Sequence, residues 1–147
     1  MLPEAQLAHA DPAKAVKRAY RTSRRAMTVA EEQRSRDHLH EWRKQVKYFA
    51  SELKALAPVT RKGLGKTYKK SHRLTDCLGE DHDLALLHDK IVQHRRLGAG
   101  DAEVGALLQQ LAQRRAQLQR KAYRGGRRLF AATARRMEAR VRDQLRR

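Results

Sequence analysis

The chain has 147 residues, with 34 Lys and Arg against 16 Asp and Glu, a formal net charge of +18. That length suits one domain with a single modest core, and the charge points to a polyanionic partner without bearing on the fold. No apolar run reaches the ~18 residues of a membrane-spanning helix, MLPEAQLAHADPAK at the start lacks the apolar heart of a signal peptide, and a lone cysteine, Cys77, fits a reducing cytoplasm.

Residues 1–10 read as a loose lead-in and residues 11–147 as a helical bundle. Asp11-Pro12 is a helix start, with Asp as N-cap and Pro at the first helical position, and the helix runs to about residue 33. Ala15, Val16, Ala19, Tyr20, Ala26, Met27 and Ala30 form its apolar arc. Lys14, Lys17, Arg18, Arg21, Arg24 and Arg25 form the opposite arc, with no acid among them. Residues 35–37 make a turn, with Asp37 as the cap of the next helix.

That helix contains HLHEWRKQVKYFASELKAL, residues 38–56. At about 100° per residue, Leu39, Trp42, Val46, Phe49, Ala50, Leu53 and Leu56 share one arc. His40, Arg43, Lys44, Lys47 and Lys54 share the arc beside it, and Glu41 and Glu52 lie on a third. The helix ends before Ala57-Pro58, because the residue before proline is pushed out of the helical region.

A third helix is expected at residues 61–78. Leu64, Tyr68, Ser71, Leu74, Thr75 and Leu78 face inward, while Lys62, Lys66, Lys69 and Arg73 cluster outside, flanked by Lys70. Gly79 suits the left-handed position that closes a helix. Asp81 then caps a fourth helix, residues 82–96, with Leu84, Leu87 and Ile91 as its apolar positions. RRLGAGDAE leads to a long helical region from about residue 101, striped by Leu107, Leu111, Leu118, Ala122 and Leu129. Arg114, Lys121 and Arg128 flank that stripe. Beyond them the apolar phase shifts to Phe130, Met137, Val141 and Leu145, with Gly125-Gly126 as the expected kink. Five amphipathic segments with short connections predict an all-α, antiparallel helical bundle.

Single-signed basic stripes on three consecutive helices repel within themselves, by a few tenths of a kcal/mol per i,i+4 pair, roughly. An anion relieves that repulsion, and antiparallel packing would bring the stripes into one basic trough. Arg presents a planar fork to phosphate oxygens and Lys a mobile point charge. His40 lies on the basic arc, where protonation at mildly acid pH would strengthen any contact with a polyanion. No catalytic set, Walker loop or H-E-x-x-H motif is present. GEDHD at residues 79–83 clusters acids as a helix start does, and no metal or cofactor site is read from it. Cys77 lacks a paired base and is expected to pack inside, while Tyr20 and Tyr68 sit at core spacing. Aromatics make up only 5% of the chain, which argues against single strands held by base stacking.

HLHEWRKQVKYFASELKAL, with His40, Arg43, Lys44 and Lys47, resembles the signature helix of the CHAD family, the conserved-histidine α-helical domain. RLTDCLGEDHDLALL, residues 73–87, resembles its second recurrent stretch, and AYRTSRRAM and RRLFA agree in order and spacing. The resemblance implies an all-helical domain that binds inorganic polyphosphate, without catalysis, in the cytoplasm at polyphosphate granules. Carried over by the motif, binding falls to His40, Arg43, Lys44 and Lys47. The stripes add Lys66, Lys69 and Arg73, then Arg18, Arg21, Arg25, Arg114, Lys121 and Arg128. The family's usual domain has two similar halves, and this chain resembles the second. A homodimer, or a partner chain supplying the other half, is therefore expected. The alternative is a nucleic-acid-binding protein using the same stripes on a sugar–phosphate backbone.

Overall fold

Asp11 begins the first helix, its Oδ1 accepting from the backbone N–H of Ala13 at 3.0 Å and of Lys14 at 3.4 Å. The computed structural model describes residues 11–60, 62–95 and 100–145. The lead-in expected at 1–10, the start of the third helix at 61 and the loop at 96–99 lie outside the described residues. Among the described residues five α-helices follow in order: α1 (Pro12–Gln33), α2 (Arg36–Leu56), α3 (Gly65–Arg95), α4 (Asp101–Leu129) and α5 (Ala134–Leu145). Single 3-10 turns at Ala57–Val59 and Lys62–Leu64 join α2 to α3. No strand occurs among the described residues, so the bundle is all-α.

α1 closes at Arg34, which takes the left-handed conformation with φ 49° and donates its N–H to Ala30 O at 2.8 Å. α2 then starts two residues later, on a different cap from the one expected. Ser35, not Asp37, is the N-cap, accepting from His38 N at 3.2 Å. Asp37 falls instead in the first turn, where a carboxylate meets the positive end of the macrodipole.

The largest departure is α3. The expected break at residues 79–81 is absent, and one helix of 31 residues runs through it. Gly79 is there for space. A Cβ on it would lie 3.1 Å from Arg43 Nε, so the bare backbone lets the Arg43 side chain cross from α2. Asp81 caps nothing; buried in mid-helix, it accepts from Arg115 Nε at 3.0 Å and Gln119 Nε2 at 3.2 Å, both on α4. A helical glycine costs about 1 kcal/mol relative to alanine, and these cross-helix contacts outweigh that local preference. Gly125-Gly126 likewise does not end its helix: α4 continues to Leu129, and the final segment is a separate helix because of the break between Leu129 and Ala134.

From α1 to α4, consecutive helices pack antiparallel. Arg36 at the head of α2 meets Asp89 near the end of α3, with two N–H···O bonds of 2.7 and 3.0 Å. Cys77 of α3 donates through Sγ to Leu118 O of α4 at 3.1 Å. α5 folds back along α1, where Arg142 pairs with Asp11 at 2.7 Å and Lys17 with Glu138 at 2.8 Å. The core between them centres on Trp42, Tyr20, Phe49 and Phe130, all buried. Tyr20 meets Phe49 and Phe130 edge-on, with centroids 5.5 and 5.2 Å away, and donates its hydroxyl to Ala132 O at 2.6 Å. Trp42 stacks on Tyr123 at 5.3 Å, and Tyr123 donates to Ala30 O at 3.1 Å. Gly126 lies beneath this stack, where a Cβ would come within 2.7 Å of both Met27 Sδ and Trp42 Cζ2.

Two outcomes follow from these contacts. Gly126→Ala should destabilise the fold by about 1–3 kcal/mol through overpacking, read by urea unfolding. Its neighbour Gly125→Ala meets nothing within 4 Å and should instead stabilise by ~0.5–1 kcal/mol. The second outcome concerns pH. The Arg142 guanidinium holds the Asp11 carboxyl below its usual range, and Lys17 with Arg142 does the same for Glu138. Because both acids are lowered in the folded state, their stabilisation is complete above the ordinary carboxylate range near ~4 and lost as pH falls through the lowered values. Arg142→Ala should therefore flatten the acid limb of the stability–pH curve and leave its shape at neutral pH unchanged.

Candidate anion-binding clefts

The bases of α3 and α4 meet across their shared seam. Lys70, Arg73, Leu74 and Cys77 recur at i, i+3, i+4 and i+7, so they share one face of α3. Lys121, Arg124, Gly125 and Arg128 recur in the same way on α4, with Ala122 beside them. Together they line an open cleft of about 340 Å³, five cations over a floor of small and apolar residues. A second cleft, of about 260 Å³, lies on the other side of α3. α2 lines it with Arg43, Lys47, Ala50, Ser51 and Lys54, and α3 with Tyr68, His72, Thr75 and Asp76.

The thirteen residues read from the stripes therefore divide; they do not share one trough. Arg73, Lys121 and Arg128 come together in the α3–α4 cleft, and Arg43 and Lys47 in the α2–α3 cleft. Lys66 and Lys69 are exposed on α3, and Arg18, Arg21 and Arg25 on α1, lining neither. Arg114 is engaged by Glu80 at 2.8 Å, and Lys44 by Glu41 at 3.1 Å, so Glu41 is less remote from the bases than the helical wheel suggested. His40 is exposed, its ring tilted against that of His82 on α3 with centroids 4.8 Å apart. Lys54 was legible on the basic arc of its helix but not as a site residue, and Lys70 only as a flanking base. Arg124 was missed, although its spacing of three from Lys121 and four from Arg128 marks the same face. His72 gave no sequence signal, because its importance depends on which helix faces it.

The two clefts differ in charge. Among the described residues, Lys70, Arg73, Lys121, Arg124 and Arg128 have no carboxylate within 4.0 Å. Other arginines around them are paired: Arg115 with Asp81, Arg127 with Glu31, Arg36 with Asp89. Like charges left together repel, and the open cleft gives an incoming anion five donors already gathered. The α2–α3 cleft, by contrast, contains its own carboxylate. Asp76 Oδ2 lies 3.2 Å from His72 Nδ1, and Arg43 Nε reaches the Thr75 carbonyl at 3.4 Å.

The Cys77 thiol at the floor of the first cleft is pushed up by burial, with Lys121 pulling the other way. It packs inside as expected, and its proton goes to Leu118 O. Asp81, an acid of the GEDHD stretch, is tied to α4. Among the described residues no three His, Cys, Asp or Glu side chains converge as metal ligands. Among the same residues no helix is long and apolar enough to cross a membrane.

Comparison with protein families matches residues 3–92 to the CHAD domain. The chain belongs to the CHAD family. The CHAD match takes in α1, α2 and all but the last residues of α3, hence both walls of the α2–α3 cleft. It supplies one wall of the α3–α4 cleft; α4, with RRLFA at its end, lies beyond it. Comparison with curated proteins and with solved structures gives no match.

Two acids of GEDHD should separate on substitution. Asp81→Ala leaves Arg115 and Gln119 without their buried acceptor and should cost ~2–4 kcal/mol in denaturant unfolding. Asp83 is exposed, and Asp83→Ala should stay within about 0.5 kcal/mol of the parent.

Proposed function

We propose that this CHAD protein binds inorganic polyphosphate in the α3–α4 cleft, as a binding module without chemistry of its own. The family is linked to polyphosphate binding in general. The observation that carries the reading for this chain is the set of five cations lining one cleft with no acid to neutralise them. Successive phosphates of a chain present charge at short, regular intervals, and two facing rows of bases at helical spacing can follow such a ligand. Arg73, Arg124 and Arg128 supply forked donors, while Lys70 and Lys121 supply mobile charges that adapt to chain position. Arg43, Lys47 and Lys54 offer a weaker second seat around α3, because Asp76 stands among them.

A duplex nucleic acid carries its phosphates on the outside of a wide, stiff rod. A cleft of about 340 Å³ between two packed helices offers such a rod less contact than it offers a single free chain. Geometry, not charge, thus separates a free phosphate chain from a sugar–phosphate backbone as the ligand.

The test is a competition titration near physiological salt. Labelled long-chain polyphosphate is displaced by unlabelled polyphosphate or by duplex DNA at equal phosphate concentration. DNA should displace poorly, and Arg73→Ala with Lys121→Ala and Arg128→Ala should weaken binding at least about tenfold. Removing the same three charges from Arg18, Arg21 and Arg25 should weaken it much less. By analogy with counterion release, the cleft variant should also lower the salt slope by roughly 0.7 for each phosphate it no longer neutralises. Equal effects of the two triple variants, or equal displacement by DNA, would reduce the protein to a generic anion exchanger.

A further inference from the structure

Gly125 is the one lining residue of the α3–α4 cleft that packing does not explain. It sits inside α4, four residues from the end of the helix, where glycine weakens a helix relative to alanine. Its neighbour Gly126 is required, because any Cβ there would strike Met27 and Trp42. Gly125 is exposed, and a Cβ on it would meet nothing within 4 Å. The space that its missing side chain leaves opens into the basic cleft.

What fits that space is set by what the backbone offers there. In mid-helix the N–H and C=O groups are already bonded along the helix, so a phosphate oxygen finds no donor at Gly125. A bare Cα beside Ala122 instead leaves an apolar floor, with Leu74 and Cys77 lining the cleft across from it. An apolar floor suits the face of a planar ring. The guanidinium groups of Arg73, Arg124 and Arg128 around it stack on aromatic faces as readily as they bind phosphate. A ligand with a ring on the seat and several phosphates on the rim is a nucleotide.

We propose that the α3–α4 cleft binds nucleoside polyphosphates in preference to bare phosphate chains of the same length, with the base laid against α4 at Gly125. The proposal rests on the reading of this cleft as a phosphate site and names a second class of ligand for it. Charge alone predicts the opposite order, since a free triphosphate carries more negative charge than the same triphosphate esterified to a nucleoside.

ATP and inorganic tripolyphosphate provide the comparison, titrated calorimetrically into the full chain in metal-free buffer. The parent protein should bind ATP at least about fivefold more tightly than tripolyphosphate. Gly125→Leu, which places a side chain on the seat, should bring that ratio to about one. Gly105→Leu is the control. Gly105 is also an exposed glycine of α4 with nothing within 4 Å of its Cβ position, but it lies outside the cleft, and the ratio should persist. Circular dichroism establishes that each variant is folded. A ratio near one in the parent, or one that survives Gly125→Leu, overturns the nucleotide seat while leaving polyphosphate binding intact. Failure of both ligands to bind would likewise overturn the nucleotide seat, while the displacement of long-chain polyphosphate would still decide the phosphate reading of the cleft on its own.

Discussion

The unbroken α3 helix is the member on which the rest of the arrangement depends. Both basic clefts use it as a wall, one on its α4 side and one on its α2 side. Its continuity is enforced from outside. Asp81 is held by Arg115 and Gln119 of α4, Arg36 of α2 grips Asp89 and the Ala85 carbonyl, and Arg43 lies against Gly79. A break at residues 79–81 would swing the second half of the helix away from all of these partners. The buried carboxylate alone makes such a break expensive, since an uncompensated charge at this depth would be left on one side or the other.

A chain with twice as many bases as acids cannot neutralise itself everywhere, so the placement of its few acids decides where positive charge accumulates. Six of the sixteen acids pair across helix seams: Asp11 and Glu138 between α1 and α5, Glu31 between α1 and α4, Glu80 and Asp81 between α3 and α4, Asp89 between α2 and α3. The more exposed of these pairs contribute little each to stability. Their larger effect is by omission, because among the described residues no acid pairs with the bases at the cleft end of the α3–α4 seam. Along one interface, the half near residues 80 and 115 is neutralised and the half near residues 70 and 128 is not. The same two helices thus supply both a lock and a surface of unneutralised bases.

Composition and periodicity made the architecture legible. The apolar arcs of α1 and α2 match their buried faces closely, down to Val16, Tyr20, Met27, Trp42, Val46, Phe49 and Leu53. The failures cluster at glycine and aspartate, residues whose local preferences favour turns. Gly79, Asp81, Gly125 and Gly126 all read as breaks because a sequence shows propensity and hides the neighbour that overrides it. Gly79 answers to Arg43, thirty-six positions earlier, and Gly126 to Trp42 and Met27. The site was legible in type but not in grouping. A helical wheel shows which bases share a helix face, but not which face of the next helix they meet. One expected trough therefore became two clefts.

The glycine pair at residues 125 and 126 shows how closely core and surface are coupled on α4. Adjacent helical residues point about 100° apart, so one glycine faces the Trp42–Tyr123 stack while the other faces the cleft. Gly126 lets α4 approach the core; that approach fixes how α4 lies against α1 and so where Lys121, Arg124 and Arg128 stand relative to α3. An α4 displaced by a larger residue at 126 would carry the whole cationic row with it. Gly125 has no such packing duty: a Cβ there meets nothing within 4 Å, and the residue weakens its helix without serving the core. Two identical residues, one position apart, therefore stand under different constraints: packing forbids a side chain at 126 and leaves room for one at 125, on the surface that lines the cleft.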